Sequence, residues 1–286
     1  MNVCKYFGKN GYDVTEPNVN KDGMLDQDEL RDSIRDDTAI VSIMHANNET
    51  GVIFPIEEIA KIVKEKGVLF HCDAVQAIGK IPVNLKNSNI DLLSMSGHKL
   101  HAPKGVGVLF IRKGVRIDPL IIGGHQEDNR RSGTENVPYI IGLGKACEIA
   151  EGFVKQEQTE VRRLRDRLEK GIKDQLTHVA ISGENSERLP NTSNVSFEYV
   201  EGEATLLLLD MAGIATSSGS ACTTGSAEPS HVLQAMGIPP VTSRGTIRFS
   251  LSRYSTEDDV DYILEKLVPI VKRLQSLSPL FDDSQT

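Results

Sequence analysis

Lys99 and Asp73 are the two residues of this chain whose types and spacing suggest chemistry most directly. Each belongs to a polar cluster that follows a short apolar run. Val68-Leu69-Phe70 leads to Asp73 and Gln76, and Leu92-Leu93 leads to Ser96, His98 and Lys99. A third run, Val106 to Ile111, follows a Pro-Lys-Gly turn. Runs of this length bounded by turn residues read as buried strands. The polar clusters then fall at strand ends, where sheet proteins place their chemistry. Lys99 lies between His98 and Leu100 in a segment apolar enough to predict a largely buried amine. A buried lysine without a partner has its pKa depressed, as a Schiff-base amine requires. An acid 26 residues upstream is the other half of a pyridoxal phosphate site, where a carboxylate faces the pyridinium nitrogen. The spacing also admits a core lysine with no catalytic part.

The elements that must position these residues alternate regularly. Met1 to Gly8 reads as a helix, followed by a strand at Tyr12–Val14. A strand is expected over Thr38–Met44. A helix over Pro55–Glu65 puts Ile59, Ile62 and Val63 on one face and stops at Gly67. This βαβ rhythm predicts an α/β fold with a mainly parallel sheet covered by helices. A helix over Val137–Phe153 leads into a second one with Val161, Leu164, Leu168 and Ile172 inward. A domain boundary is placed near residue 150, dividing 1–150 from a smaller α+β unit over 151–286. That unit is read as strands at Val179–Ile181, Ser193–Glu198 and Gly245–Leu251, with helices at Gly202–Ala212 and Ser230–Met236. Its last helix is capped at Ser255/Thr256, and Pro269 is expected to kink it.

The stretch NVNKDGMLDQDE (18–29) has the carboxylate and amide spacing of a calcium loop. It follows a strand ending in Pro17, where a calcium-binding hand needs a helix. The preferred reading is an Asp-Gly turn and a helix begun near Asp26, with Leu30 and Ile34 inward.

Composition narrows the function classes. The chain has 286 residues, 39% apolar and 25% charged, with a net charge of −8. That balance argues against nucleic-acid or anionic-membrane partners, which want a basic patch. No apolar run approaches the ~18 residues of a membrane span. The first residues lack a signal-peptide core, which predicts a cytosolic protein. Cys4, Cys72, Cys147 and Cys222 show neither CxxC pairing nor zinc spacing, so reduced thiols and no metal site are expected. Ser217–Ser226 contains no side chain larger than Thr or Cys and should be a mobile surface loop. Cys222 within it is either an ordinary loop thiol or a nucleophile on a flexible tether.

Eight motifs carry a family resemblance: HANNETG (45–51), HCDAVQAIGK (71–80), SMSGHKLHAPKGVG (94–107), RRSGTEN (130–136), LPNTSNVSF (189–197), SSGSACTTG (217–225), EPSHVL (228–233) and IRFSLSR (247–253). In this order the chain resembles cysteine desulfurases of the NifS/IscS type, pyridoxal-phosphate enzymes of the aminotransferase class V fold. The resemblance implies a fold type I large domain lacking roughly the family's first quarter, followed by a small C-terminal domain. The absent part would carry a phosphate-binding loop and a ring-stacking side chain.

By the same resemblance Lys99 bonds the cofactor and moves the substrate's α-proton, and Asp73 holds the pyridine nitrogen protonated. Gln76 donates to the cofactor's phenolic oxygen, and Ser96 and His98 hold its phosphate. Thr134 reaches the phosphate of a neighbouring subunit in a homodimer. Asn48 and Arg248 orient L-cysteine, Arg248 by its carboxylate. Cys222 takes the sulfur as a persulfide and passes it to an iron–sulfur cluster scaffold. Read without the resemblance, Asp73 is a turn cap, Arg248 the partner of a buried acid, and Ser96, His98 and Thr134 satisfy local backbone. His45 and His71 are strand-end residues without an assigned role, and Cys72 and Cys147 buried small residues. A selenocysteine lyase, a transaminase indifferent to Cys222, and an inactive dimerisation or scaffold-binding module remain rival readings.

Overall fold

The stretches Ile40–Met44, Leu69–Asp73 and Leu92–Ser96 become neighbouring parallel strands, and their carboxyl ends share one edge. The computed structural model of the chain describes residues 2–218, 230–279 and 281. After helix α1 (Asn2–Lys9), residues 12–18 are irregular, with Tyr12 and Val14 exposed. The expected strand at 12–14 is therefore absent: β-prone side chains make no strand without a neighbour to pair with. Helix α2 (Gln27–Ser33) is capped by Asp26, whose carboxylate accepts from the N–H groups of Asp28 and Glu29, and Leu30 and Ile34 are buried. Glu29 accepts from the backbone and side-chain amides of Asn18 (2.9–3.3 Å). The calcium-like spacing is thus spent on a local turn.

Strands β1 (Ile40–Met44), β2 (Leu69–Asp73) and β3 (Leu92–Ser96) pair in parallel, and β4 (Gly107–Ile111) returns antiparallel to β3. Between β1 and β2 runs α3 (Ile56–Glu65), which buries Ile56, Ile59, Ala60, Ile62 and Val63 on one sheet face. Gly67, at φ 71°, turns the chain out of that helix. Phe70, Cys72 and Leu93 meet α3 in the same core. The opposite face, with Ile40, Met44 and Leu69, is exposed among the described residues. Sequence rhythm predicts helices on the sheet, yet the crossover from β2 to β3 has none, so only one face is covered from within β1–β4.

A single turn, α4 (Gln126–Asn129), winds left-handed at Glu127, Asp128 and Asn129. Helix α5 (Val137–Gln156) then passes through a π-helical turn (Glu157–Val161) into α6 (Arg162–Gln175). Residue 150 lies inside α5. The second sheet has the order β5 (Val179–Ile181), β6 (Thr192–Phe197), β8 (Thr246–Ser250), β7 (Ser217–Ser218), all antiparallel. Ser217 and Ser218, read from composition as loop, are strand residues bonded to β8. Helices α6, α7 (Gly202–Met211) and α10 (Glu257–Ser276) close a core around Leu168, Phe197, Leu209, Ile247, Phe249 and Leu267. Short helices α8 (His231–Ala235) and α9 (Pro240–Arg244) lie between β7 and β8. Thr256 and Asp259 form a reciprocal capping box at the start of α10, which continues through Pro269. No helix among the described residues is long and apolar enough to cross a membrane.

Candidate active site

The carboxyl ends of β1, β2 and β3 are stitched together beyond the strands. The His45 N–H donates to the Asp73 carbonyl (2.8 Å), and the Ala74 N–H to the Ser94 carbonyl (3.0 Å). This edge carries Asn48, Asp73, Gln76, Ser96, His98 and Lys99. Asp73 is the last residue of β2 and is exposed; its Oδ1 accepts from the Val75 N–H (3.0 Å). One carboxylate oxygen thus caps the turn, as the plain reading of an aspartate here anticipates. Gln76, in that turn, is half-buried.

Lys99 rides on a 3₁₀ turn (Gly97–Leu100) immediately after β3. The turn is fixed from both sides. Leu100 and Ala102 pack against Leu143, Ala146 and Ala150 of α5. Gly97 lies so close to Val106 that an added Cβ would stand 2.9 Å from its side chain and carbonyl. Lys99 is partly buried on this turn. Ser96 is half-buried and His98 exposed in the same segment.

Gly79 brings the Gln76 turn against Leu100. Its φ is +76°, and a Cβ there would lie 2.5 Å from Leu100 Cδ2 and 3.1 Å from Ala150 Cβ. Gly79→Ala combines left-handed strain with overpacking, and a loss of about 2–4 kcal/mol is expected in chemical denaturation. An unchanged midpoint would show that Leu100 moves freely.

Arg248, in the middle of β8, reaches across from the second sheet. Its Nη1 donates to the Asn48 carbonyl at 2.6 Å. The two residues assigned to the substrate therefore meet. Thr134 lies exposed between α4 and α5 and makes no hydrogen bond to the others among the described residues. Cys222 falls in 219–229, outside the described residues.

Several groups escape a reading of sequence alone. His71 is a mid-strand residue, not a strand-end one: Ser42 Oγ and Ser94 Oγ each lie 2.8 Å from its two ring nitrogens. The three belong to neighbouring strands, and only the register reveals them. Burial lowers the His71 pKa, with Asp73 opposing. Cys72 is fully buried and its thiol pushed up to about 12, chiefly by burial, so it is inert. Cys147, read as buried, is half-buried on α5. Lys80, just past Gly79, forms a buried ion pair with Glu157 of the π turn (2.9 Å).

His45 has a buried Nδ1 with no partner among the described residues, and burial lowers its pKa from 6.5 to about 4. The unfolded chain therefore takes up this proton first as pH falls. Stability is fully present above pH 6.5 and is lost between there and about pH 4. About 3 kcal/mol is expected from this residue. Denaturation midpoints across that window, compared with His45→Gln, measure it; parallel curves would remove the assignment.

A carboxylate, an amine and small hydroxyl and ring donors at the carboxyl ends of adjacent parallel strands form a donor set that fits pyridoxal phosphate. Residues 3–263 match the aminotransferase class-V family, and the chain belongs to it. Pyridoxal-phosphate dependence is a property of that family. Within it the chain is similar to cysteine desulfurases. It is 56% identical to the cysteine desulfurase of Nostoc sp. over 283 residues, covering 99% of this chain and 71% of that one. It is 55% identical to the cysteine desulfurase NifS of Azotobacter vinelandii over 279 residues, 98% and 69% of the two chains. A solved NifS-like protein superposes with a TM-score of 0.88 at 41% identity, covering 95% and 72%. The family that the eight motifs imply is thus the family found.

Proposed function

We propose that the chain is a cysteine desulfurase that converts L-cysteine to L-alanine and leaves the sulfur on Cys222 as a persulfide. The observation that carries this reading is the 2.6 Å bond from Arg248 to the Asn48 carbonyl, which joins the second sheet to the edge bearing Asp73 and Lys99. Pyridoxal phosphate, when bound, supplies an electron sink for the substrate's bonds.

The chain's own residues divide the remaining work. Asp73 holds a proton on the ring nitrogen, and Gln76 donates to the phenolic oxygen. Ser96 and His98 hold the phosphate, joined by Thr134 from a second subunit. Arg248 pairs with the substrate carboxylate and Asn48 orients it. Lys99 Nζ takes and returns the α-proton. The Cys222 thiolate forms an S–S bond to the substrate sulfur as the Cβ–S bond breaks; the electron pair leaves with Cβ, which takes a proton and becomes the alanine methyl. Sulfur is oxidised and carbon reduced, so no outside oxidant is needed.

Residues 1–150 and 151–286 would act as cofactor-binding and nucleophile-bearing units of a cytoplasmic homodimer. The exposed Val137, Ile140 and Ile141 of α5 offer apolar surface to a second copy. An iron–sulfur cluster scaffold would accept the sulfur.

Purified chain with added pyridoxal phosphate and L-cysteine, in the presence of a thiol reductant, should show a lysine-bound cofactor band and release alanine and sulfide in equal amounts. Absence of both products would overturn the reading. A strong preference for L-selenocysteine would favour the lyase, and a requirement for a keto acid the transaminase.

A further inference from the structure

We propose that Glu49 is a positioning residue for sulfur transfer, holding Ser230 and the start of α8 against the Asn48–Arg248 corner; this rests on the desulfurase reading. Glu49 is only 1% exposed, although a carboxylate is costly to bury. Its Oε2 accepts the Ser230 hydroxyl at 2.5 Å, across 181 residues of sequence. This is a charge-assisted bond, among the strong class of hydrogen bonds. Ser230 Oγ in turn accepts from the Val232 and Leu233 N–H groups (3.1 and 3.3 Å), so the carboxylate fixes the N-cap of α8.

The loop that carries Glu49 is itself rigid. Asn47 Oδ1 accepts from the Glu49 and Thr50 N–H groups (2.8 and 3.0 Å), and Asn47 and Thr50 are buried. The residue between Asn47 and Glu49 is Asn48, whose carbonyl takes Arg248. On the other side Ser217 pairs with Arg248 in the sheet. Ser217 and Ser230, on the two sides of the stretch containing Cys222, are therefore held next to the substrate-orienting pair, Ser217 opposite Arg248 in the sheet and Ser230 on Glu49 beside Asn48. Loss of one tie frees the start of α8 from the substrate-orienting pair, and sulfur capture, which needs the nucleophile and the oriented substrate together, should slow. The hydrogen bonds from Glu49 to Ser230, from the loop N–H groups to Asn47 and from Arg248 to Asn48 are made by groups other than Lys99 and Asp73.

The variants Glu49→Ala, Ser230→Ala and Ser230→Thr test the proposal. Single-turnover persulfide formation, read as a mass gain of one sulfur atom on Cys222, should fall at least ~10-fold in both alanine variants and recover in Ser230→Thr. Exchange of the substrate α-proton for deuterium, which needs Lys99 and not Cys222, should stay within about twofold of the parent. In cofactor-free protein the Val232 and Leu233 amides should exchange faster in both alanine variants. An unchanged persulfide rate would overturn the proposal. So would a parallel loss of α-proton exchange, since Glu49 would then serve the fold alone. Wild-type protein that exchanges the α-proton but makes no persulfide would instead overturn the desulfurase reading.

Discussion

Lys99→Ala is expected to abolish the lysine-bound cofactor absorbance and to slow α-proton exchange by on the order of 10³-fold or more. The backbone of the turn should survive the change. Its shape is set by Leu100 packing on α5 and by the close approach at Gly97, neither of which involves the Lys99 side chain. Stability should therefore change by less than about 1 kcal/mol, the usual range for a residue that fills no core position. Small primary amines added to the variant should restore part of the proton exchange, because the missing group is a base and not a packing element. Retention of the absorbance band in Lys99→Ala would remove Lys99 from its assigned part.

The complementary expectation concerns Cys222→Ser. Sulfur transfer should fall to background while the cofactor band and α-proton exchange persist. A serine hydroxyl is a far weaker nucleophile than a thiolate near neutral pH, and its oxygen does not store sulfur as a persulfide thiol does. Among the described cysteines, Cys72 offers no substitute, because burial pushes the pKa of its thiol up to about 12. Alanine production at the parental rate in Cys222→Ser would move the nucleophile elsewhere. Taken with Lys99→Ala, the variant separates proton movement from sulfur capture.

The secondary elements that were legible in the sequence are those whose cause is local. Gly67 ends α3, Asp26 starts α2, Thr256 and Asp259 cap α10, and the inward stripe Val161, Leu164, Leu168 and Ile172 is buried. Elements set by distant partners were not. Tyr12–Val14 has β-prone side chains but no strand beside it among the described residues. The π turn between α5 and α6 coincides with Glu157 reaching Lys80, 77 residues away, which no local periodicity encodes. The candidate site divides the same way. The strand-end positions of Asp73, Ser96 and Lys99 follow from apolar runs, whereas their assigned chemistry follows from motif resemblance. Glu49 and Ser230 lie in two of the eight motifs, but their bond left no trace in composition or spacing, because the partners are 181 residues apart.

The Lys80–Glu157 pair also constrains how this sequence can drift. Both groups are nearly dry, with Glu157 at 0% exposure. Changing one alone strands a charge in the interior, at about 3–5 kcal/mol, whereas an apolar pair of similar volume is often tolerated. Two codons 77 positions apart are therefore coupled: lineages should keep both charges or lose both together, and the single-change intermediates should be rare among functional descendants.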